Sequence, residues 1–459
     1  MYHIDFHKPL AVHFIGIGGI SMSGLAEILL EEGFTVSGSD AKESPLTRTL
    51  EQKGATVYYG QRASNIKDSV QVVVYTAAIH PENPEFACAK EKGLPMLTRA
   101  ELLGQIMRNY DTPVAVSGTH GKTTTTSMIS HILLKGKCDP TISVGGILPA
   151  IGGNIRVGQS ETFLTEACEY TNSFLSFFPK ISVILNMDAD HLDFFKDIDD
   201  IRHSFRKFAE LLPDDGALVI NADTPEYKKI TDGLSCKVIT YSLEKPADYT
   251  ADHIVYDEFG HASFTVLHNG EEFGTCSLKV PGIHNVSNAL ASVAVGQLLG
   301  LSADVILEGL REFTGTDRRF QYKGEVGGVT IIDDYAHHPT EIKATLKAAA
   351  NYPHKKIWCV FQPHTYTRTK ALMPEFAEAL TLADHVVLAD IYAARETDNL
   401  GISSRNLQEE IEKLGTPCEY FPTFDEIENF LLENCTQGDL LITMGAGDVV
   451  NIGEQLLGK

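Results

Sequence analysis

The segment Ser117-Gly118-Thr119-His120-Gly121-Lys122-Thr123-Thr124 concentrates glycines, a lysine and hydroxyls in one short stretch. It follows the apolar Pro113-Val114-Ala115-Val116 and precedes Ser127-Met128-Ile129-Ser130-His131-Ile132-Leu133-Leu134, which reads as a helix. A Gly-Lys-Thr loop between strand and helix is a phosphate cradle. Backbone N–H groups at the helix N-terminus face the anion, the lysine meets the outer phosphates, and the next hydroxyl serves Mg²⁺. The loop has the shorter G-x-x-G-K-T form, with Gly118 as the leading glycine. A threonine-rich turn with a solvated lysine does not account for two glycines at a strand end. Nucleotide binding is the expectation.

Further polar groups follow apolar runs. Glu166 ends the strand-like Thr162-Phe163-Leu164-Thr165-Glu166, where a carboxylate beside a phosphate loop is placed to hold Mg²⁺. His191 lies in Asn186-Met187-Asp188-Ala189-Asp190-His191-Leu192-Asp193, just past the apolar Ile181 to Leu185. That reads as the lip of a site. Asp333-Asp334-Tyr335-Ala336-His337-His338-Pro339-Thr340-Glu341 follows another strand. Pro339 and Glu341 suit a helix N-terminus. Adjacent histidines rarely ligate one ion from a helix, so substrate contact is preferred for the pair. Phe361-Gln362-Pro363-His364-Thr365-Tyr366-Thr367-Arg368-Thr369 repeats the pattern, and Arg318-Arg319 has the chemistry to clamp phosphate or carboxylate.

A second glycine loop, Gly16-Ile17-Gly18-Gly19-Ile20-Ser21-Met22-Ser23-Gly24, follows Leu10 to Ile15. It matches a dinucleotide fingerprint with Ser21 in the third glycine position, and Asp40 stands 24 residues after Gly16. Three readings stay open: NAD, the phosphates of another nucleotide, or a tight strand–helix turn.

These groups need a scaffold of strands that end in loops. Three segments of alternating strand and helix patterns each supply one, which predicts an α/β chain with parallel sheets. The expected domains are 1–110, Rossmann-like; 111–315, a P-loop ATPase-like centre; and 316–459, again Rossmann-like. Residues 237–280 read as short strands. A length of 459 residues exceeds what one core organises. The net charge of −23 disfavours nonspecific nucleic-acid binding. Eight cysteines without a C-x-x-C, no signal-peptide pattern at the start and no long apolar run predict a cytoplasmic protein without membrane insertion.

Together the motifs resemble the Mur ligase family of peptidoglycan synthesis. The resemblance rests on the two glycine loops, Asp190-His191, His284-Asn285 with Asn288, Arg318-Arg319-Phe320, the 333–341 cluster, and Phe361 to His364 with Tyr366 to Thr369. It implies a UDP-binding N-terminal domain, a central ATPase and a C-terminal domain that helps bind the amino acid. The implied reaction is ATP- and Mg²⁺-dependent ligation of L-alanine to UDP-N-acetylmuramate through an acyl phosphate. By motif, ATP falls to Gly118, Thr119, His120, Gly121, Lys122, Thr123, Thr124, His284, Asn285, Asn288, Arg318 and Asp334. The metal falls to Thr123, Glu166 and His191, and the UDP-sugar to Gly16, Gly18, Gly19, Ser21, Ser39, Asp40 and Arg319. The amino acid falls to Tyr335, His337 and Arg368, and the catalytic set is Lys122, Glu166, His191, His337 and Arg368. Where many members carry an acidic run after the first Glu-Ala, this chain has Cys168-Glu169-Tyr170. Two alternatives remain: a recycling ligase that joins a preformed tripeptide to the same UDP-sugar, and a nicotinamide-dependent oxidoreductase with an appended ATPase. The split of functional residues between 118–191 and 318–368 predicts that the C-terminal domain closes onto the central one.

Overall fold

The computed structural model describes residues 2–76, 78–394 and 396–459. Three sheets carry the chain. The first runs Thr56–Tyr59, Thr35–Asp40, Ala11–Ile15, Val72–Tyr75, Met96–Thr98, all parallel. Its order reverses beside Ala11–Ile15, so the loop after that strand opens at a switch point, where α/β sheets bind ligands.

The central sheet has ten strands, with Thr112–Ser117 between Ile181–Ile184 and Thr162–Ala167, both parallel to it. Ser117 pairs in register with Ala167 on one side and Ile184 on the other. The chain segments after all three strands therefore leave the sheet at one edge, and that register brings Lys122, Glu166 and His191 together. A hairpin of Thr141–Leu148 and Gly153–Arg156 extends one side of the sheet. The expected short strands of 237–280 extend the other, ending in the antiparallel His261–His268 and Glu271–Pro281.

The third sheet runs Gln321–Val326, Val329–Asp334, Leu440–Met444, Ile357–Phe361, His385–Leu388, Cys418–Tyr420. Only its first pair is antiparallel.

The apolar cores divide unequally. One buried cluster runs from Val12 and Leu25 through Leu102 and Ile106 to Phe174, Phe205 and Leu218. It joins the first sheet to the second. Helix Arg99–Met107 comes so close to the 170–177 turn that a Cβ on Gly104 would stand 1.9 Å from Ser176 O. The C-terminal clusters hold only residues from 320 onward. That domain shares no buried apolar cluster with the central one and meets it through polar contacts and the edge-on pair Phe259–Tyr352, the kind of interface that permits relative motion. Among the described residues no helix is long and apolar enough to cross a membrane.

Candidate active site

The phosphate loop is shaped by two glycines that no other residue replaces cheaply. Gly118 has φ +143°, and a Cβ there would lie 2.9 Å from Leu185 Cβ. Gly121 has φ +83°, and its Cβ would lie 2.8 Å from Asn288 Oδ1. Gly121 caps helix Lys122–Lys135, whose first-turn N–H groups have no partner within the helix. Thr119 and His120 serve differently from the expectation. Thr119 N donates to Asn186 O at 3.2 Å and His120 N to Asn186 Oδ1 at 2.8 Å. Their N–H groups anchor the loop, and the N–H groups of Lys122, Thr123 and Thr124 at the helix start have no partner among the described residues.

Glu166 reaches this helix start. Thr123 Oγ1 donates to Glu166 Oε2 at 3.1 Å, and Gly145 N donates to Oε1 at 2.5 Å. A hydroxyl and a carboxylate side by side form an oxygen-donor pair that suits Mg²⁺. His191 is the poorer donor for so hard a cation. Its ring stacks on Tyr170 with centroids 4.5 Å apart, and it lines the same cavity of about 610 Å³ as Lys122, Glu166, Arg319, Tyr335 and His337. Burial, opposed by Asp190, holds its imidazole below the usual range.

The C-terminal domain closes over this edge. Arg368 Nε donates to Asp190 Oδ1 at 3.0 Å, an ion pair with both partners largely buried. Thr340 Oγ1 donates to Asp188, and His338 Nε2 lies 3.2 Å from Ala189 O. Burial opposes ionisation of Asp190, but Arg368 and the neighbouring His191, His338 and His337 together outweigh it and keep the carboxyl below its normal range. His337 is pushed down to about 4 by burial, against the pull of Glu341, so it stands neutral. His120, Asp188 and His338 bring three ligating atoms within 4.8 Å of one another. Both nitrogens of each imidazole already have partners, so the group acts as an interdomain hydrogen-bonded cluster.

A second cavity, about 310 Å³, opens beside the loop. His120, Gly121, His284, Asn285, Asn288, Arg319 and Asp334 line it. The two asparagines are linked, Asn288 Nδ2 donating to Asn285 Oδ1 at 3.2 Å. Asp334 accepts from Ala336 N and Phe320 N, and burial raises it to about 6. The two arginines, expected at ATP (Arg318) and at the UDP-sugar (Arg319), are placed differently from each other. Arg318 is spent inside its own domain, on Asp333 Oδ2 at 3.0 Å and the carbonyls of Gly447 and Gly445. Arg319 donates its backbone N–H to Thr316 O at 3.2 Å, and its guanidinium makes no hydrogen bond among the described residues. It stands 5.1 Å from the Tyr335 ring centroid and lines both cavities.

The N-terminal loop also departs from expectation. Ser39 is buried, and its hydroxyl donates to Glu85 Oε2 at 2.6 Å, inside the domain. Its carbonyl receives Gly16 N and Ile17 N and so shapes the loop, but its side chain offers nothing to a ligand. Asp40 Oδ2 accepts Gly18 N at 2.8 Å. The N–H groups of Ile20, Ser21 and Met22 at the start of helix Ile20–Glu31 have no partner among the described residues, and Arg99 Nη1 donates to Ser21 Oγ there at 3.1 Å. Gly24 serves packing, since its Cβ would lie 2.1 Å from Ile155 Cγ1 of the central hairpin.

Arg99, Asn186 and Glu169 were missed as site members. Each sits just beyond a strand's C-terminal end, the same signal that exposed Glu166 and His191.

Comparison with known proteins follows this division. The profile for the Mur ligase family catalytic domain matches residues 11–111, that for the Mur ligase middle domain residues 116–296, and that for the Mur ligase glutamate ligase domain residues 318–447. The chain is 62% identical over 459 residues to a UDP-N-acetylmuramate–L-alanine ligase of Agathobacter rectalis, covering 100% of each. It is 60% identical over 458 residues to the protein of the same name from Lachnospira eligens, again covering 100% of each. Among solved structures, the UDP-N-acetylmuramate–alanine ligase of Thermotoga maritima superposes with a TM-score of 0.80 at 29% identity, covering 98% of both chains. A murein peptide ligase of Psychrobacter arcticus gives 0.71 at 25% identity, also over 98% of both.

Proposed function

The chain belongs to the Mur ligase family, and on that premise we propose that it joins L-alanine to the lactyl carboxylate of UDP-N-acetylmuramate with consumption of ATP. The observation that carries this reading is full-length identity of 60–62% to two relatives named for that reaction. The cleft agrees with it in kind. A glycine-lysine loop, an oxygen pair and a C-terminal lid converge on one cavity, as an ATP-driven ligation requires.

A carboxylate resists attack by an amine because its oxygen leaves poorly. Phosphorylation by ATP gives an acyl phosphate, the amine attacks its carbonyl carbon, and phosphate departs with the bond electrons. In this reading the first-turn N–H groups of Lys122 to Thr124 orient the phosphates, and Lys122 neutralises charge on the transferring group. Thr123 and Glu166 would hold Mg²⁺, which supplies further charge neutralisation when bound. Arg319 meets the nucleotide phosphates, and His284, Asn285 and Asn288 border the base. Neutral His337, with Tyr335 and Arg368, faces the amino acid, and closure over Asp188 to His191 excludes water. The N-terminal helix start with Ser21 and Arg99 takes the UDP diphosphate. The proposed divisions remain near residues 110 and 315.

The test is phosphate release with ATP and UDP-N-acetylmuramate, supplying either L-alanine or the tripeptide. Turnover should require L-alanine. Efficient turnover with the tripeptide alone would reassign the chain to the recycling ligases.

A further inference from the structure

Lys122 is fully engaged by protein. An ammonium has three N–H donors. Lys122 Nζ lies 2.5 Å from Gly118 O, 3.0 Å from Thr119 O and 3.2 Å from Glu169 Oε2. A phosphate oxygen gains a donor only by displacing one of these acceptors. The two carbonyls belong to the loop that cradles the phosphate. Glu169 comes from the next strand's end, past Thr162–Ala167, and makes the longest of the three contacts.

Glu169 is also poorly satisfied. It is 2% exposed, and its second oxygen, Oε1, is buried with no hydrogen-bond partner. Glu166, three residues earlier, has both oxygens engaged. A buried carboxylate with an orphaned oxygen is costly unless a cation holds it, and the cation in contact is Lys122.

We infer that Glu169 is a positioning residue that holds the Lys122 ammonium and competes with the nucleotide phosphates for it. Carboxylate and phosphate are both anionic acceptors for the same charged donor. Binding therefore exchanges one for the other, and the lysine returns to Glu169 when product leaves. The inference rests on the reading of the 118–124 loop as a phosphate site and adds a residue that weakens ground-state binding. A residue that only supports the fold would, when altered, leave nucleotide affinity unchanged or reduce it. A competitor gives the opposite sign.

Calorimetry with MgADP on the full-length protein tests this, using wild type, Glu169→Gln, Lys122→Met and the double variant. Glu169→Gln should bind MgADP about tenfold more tightly, the scale of one charge-assisted hydrogen bond exchanged for a neutral one. In the Lys122→Met background the same change should alter affinity by less than about twofold, because the contested donor is gone. The KM for ATP should fall without a rise in kcat. Glu169→Asp keeps the charge one methylene further back and should give intermediate tightening, which covers the case of a Gln variant that folds poorly. Unchanged or weaker binding by both Glu169 variants overturns the inference. So does equal tightening without Lys122, which would mean general removal of negative charge. Failure of the wild type to bind MgADP would instead overturn the phosphate-loop reading.

Discussion

Glu341 Oε1 lies 3.1 Å from His120 Nδ1, so a carboxylate of the C-terminal domain holds the histidine of the central phosphate loop. The opposite nitrogen, Nε2, lies 3.2 Å from Asp188 Oδ2. Burial opposes charge on the imidazole, but hydrogen bonds to Asp188 and Glu341 outweigh it and push His120 up to about 9. The folded value is above the unfolded value of about 6.5. Its stabilisation is therefore fully present below about pH 6.5 and is lost as pH rises through about 9. The size is on the order of 3 kcal/mol. The thermal midpoint should fall between pH 6.5 and 9.5 in wild type, and much less in His120→Gln. Parallel curves for the two proteins would remove His120 as the cause.

Lys122→Ala should lower L-alanine-dependent phosphate release by roughly a thousandfold or more, because charge on the transferring phosphoryl loses its partner. Glu166→Ala should be similarly damaged and partly restored by raised Mg²⁺, since Thr123 Oγ1, 3.1 Å from Glu166, remains as a donor. Near-normal turnover in either variant would place the chemistry elsewhere.

The neighbouring arginines should separate in opposite ways. Arg318→Ala leaves Asp333, a fully buried carboxylate, without its guanidinium at 3.0 Å. Breaking such a pair costs about 3 kcal/mol and should appear as a lower melting temperature. Arg319→Ala breaks no hydrogen bond. It should leave melting nearly unchanged while weakening ATP binding about tenfold or more. Equal loss of stability in both variants would contradict this division.

Asp190→Asn should loosen closure of the C-terminal domain. The Arg368–Asp190 pair spans the polar interface, whereas the first two domains share an apolar core. X-ray scattering at saturating ADP and UDP-sugar should give a larger radius of gyration for the variant than for wild type. Identical radii would assign closure to the other contacts.

The strands beneath the site were legible because each buried parallel strand is a short apolar run ending in polar residues. Thr162–Ala167 and Ile357–Phe361 stand within a residue of where the pattern put them. The hairpin Thr141–Leu148 with Gly153–Arg156 was not, because its glycines and partly exposed positions break the alternation. Position in the cleft was readable at Glu166 and His191, where a reactive side chain follows a strand, but not at Arg99, Asn186 and Glu169, which follow strands as well. Direction was not readable. Ser39 and Asp40 are adjacent, yet one turns to Glu85 and the other to Gly18, since side chains alternate across a strand end. Arg318 and Arg319 divide in the same way, one into its domain and one into the cavity. Asn186 hid because it acts through loop N–H groups 66 residues away in sequence.

Gly18→Val should weaken UDP-sugar binding through Asp40. A Cβ on Gly18 would lie 2.8 Å from Asp40 Oδ2 and 2.9 Å from Thr47 Cγ2, closer than real Cβ atoms come. The valine must displace the Asp40 carboxylate from Gly18 N and shift the turn that presents the start of helix Ile20–Glu31. Gly16 N and Ile17 N stay tied to Ser39 O, so the disturbance falls on the anion-facing side of the loop. UDP-N-acetylmuramate affinity should drop at least about tenfold, the scale of an overpacked tight turn. The phosphate loop lies in another sheet, so affinity for a non-hydrolysable ATP analogue should stay within about twofold of wild type. Calorimetry with each ligand on both proteins separates the two sites. Equal loss of both ligands would indicate general unfolding, and tight NADH binding by wild type that UDP does not displace would return the glycine loop to a nicotinamide dinucleotide.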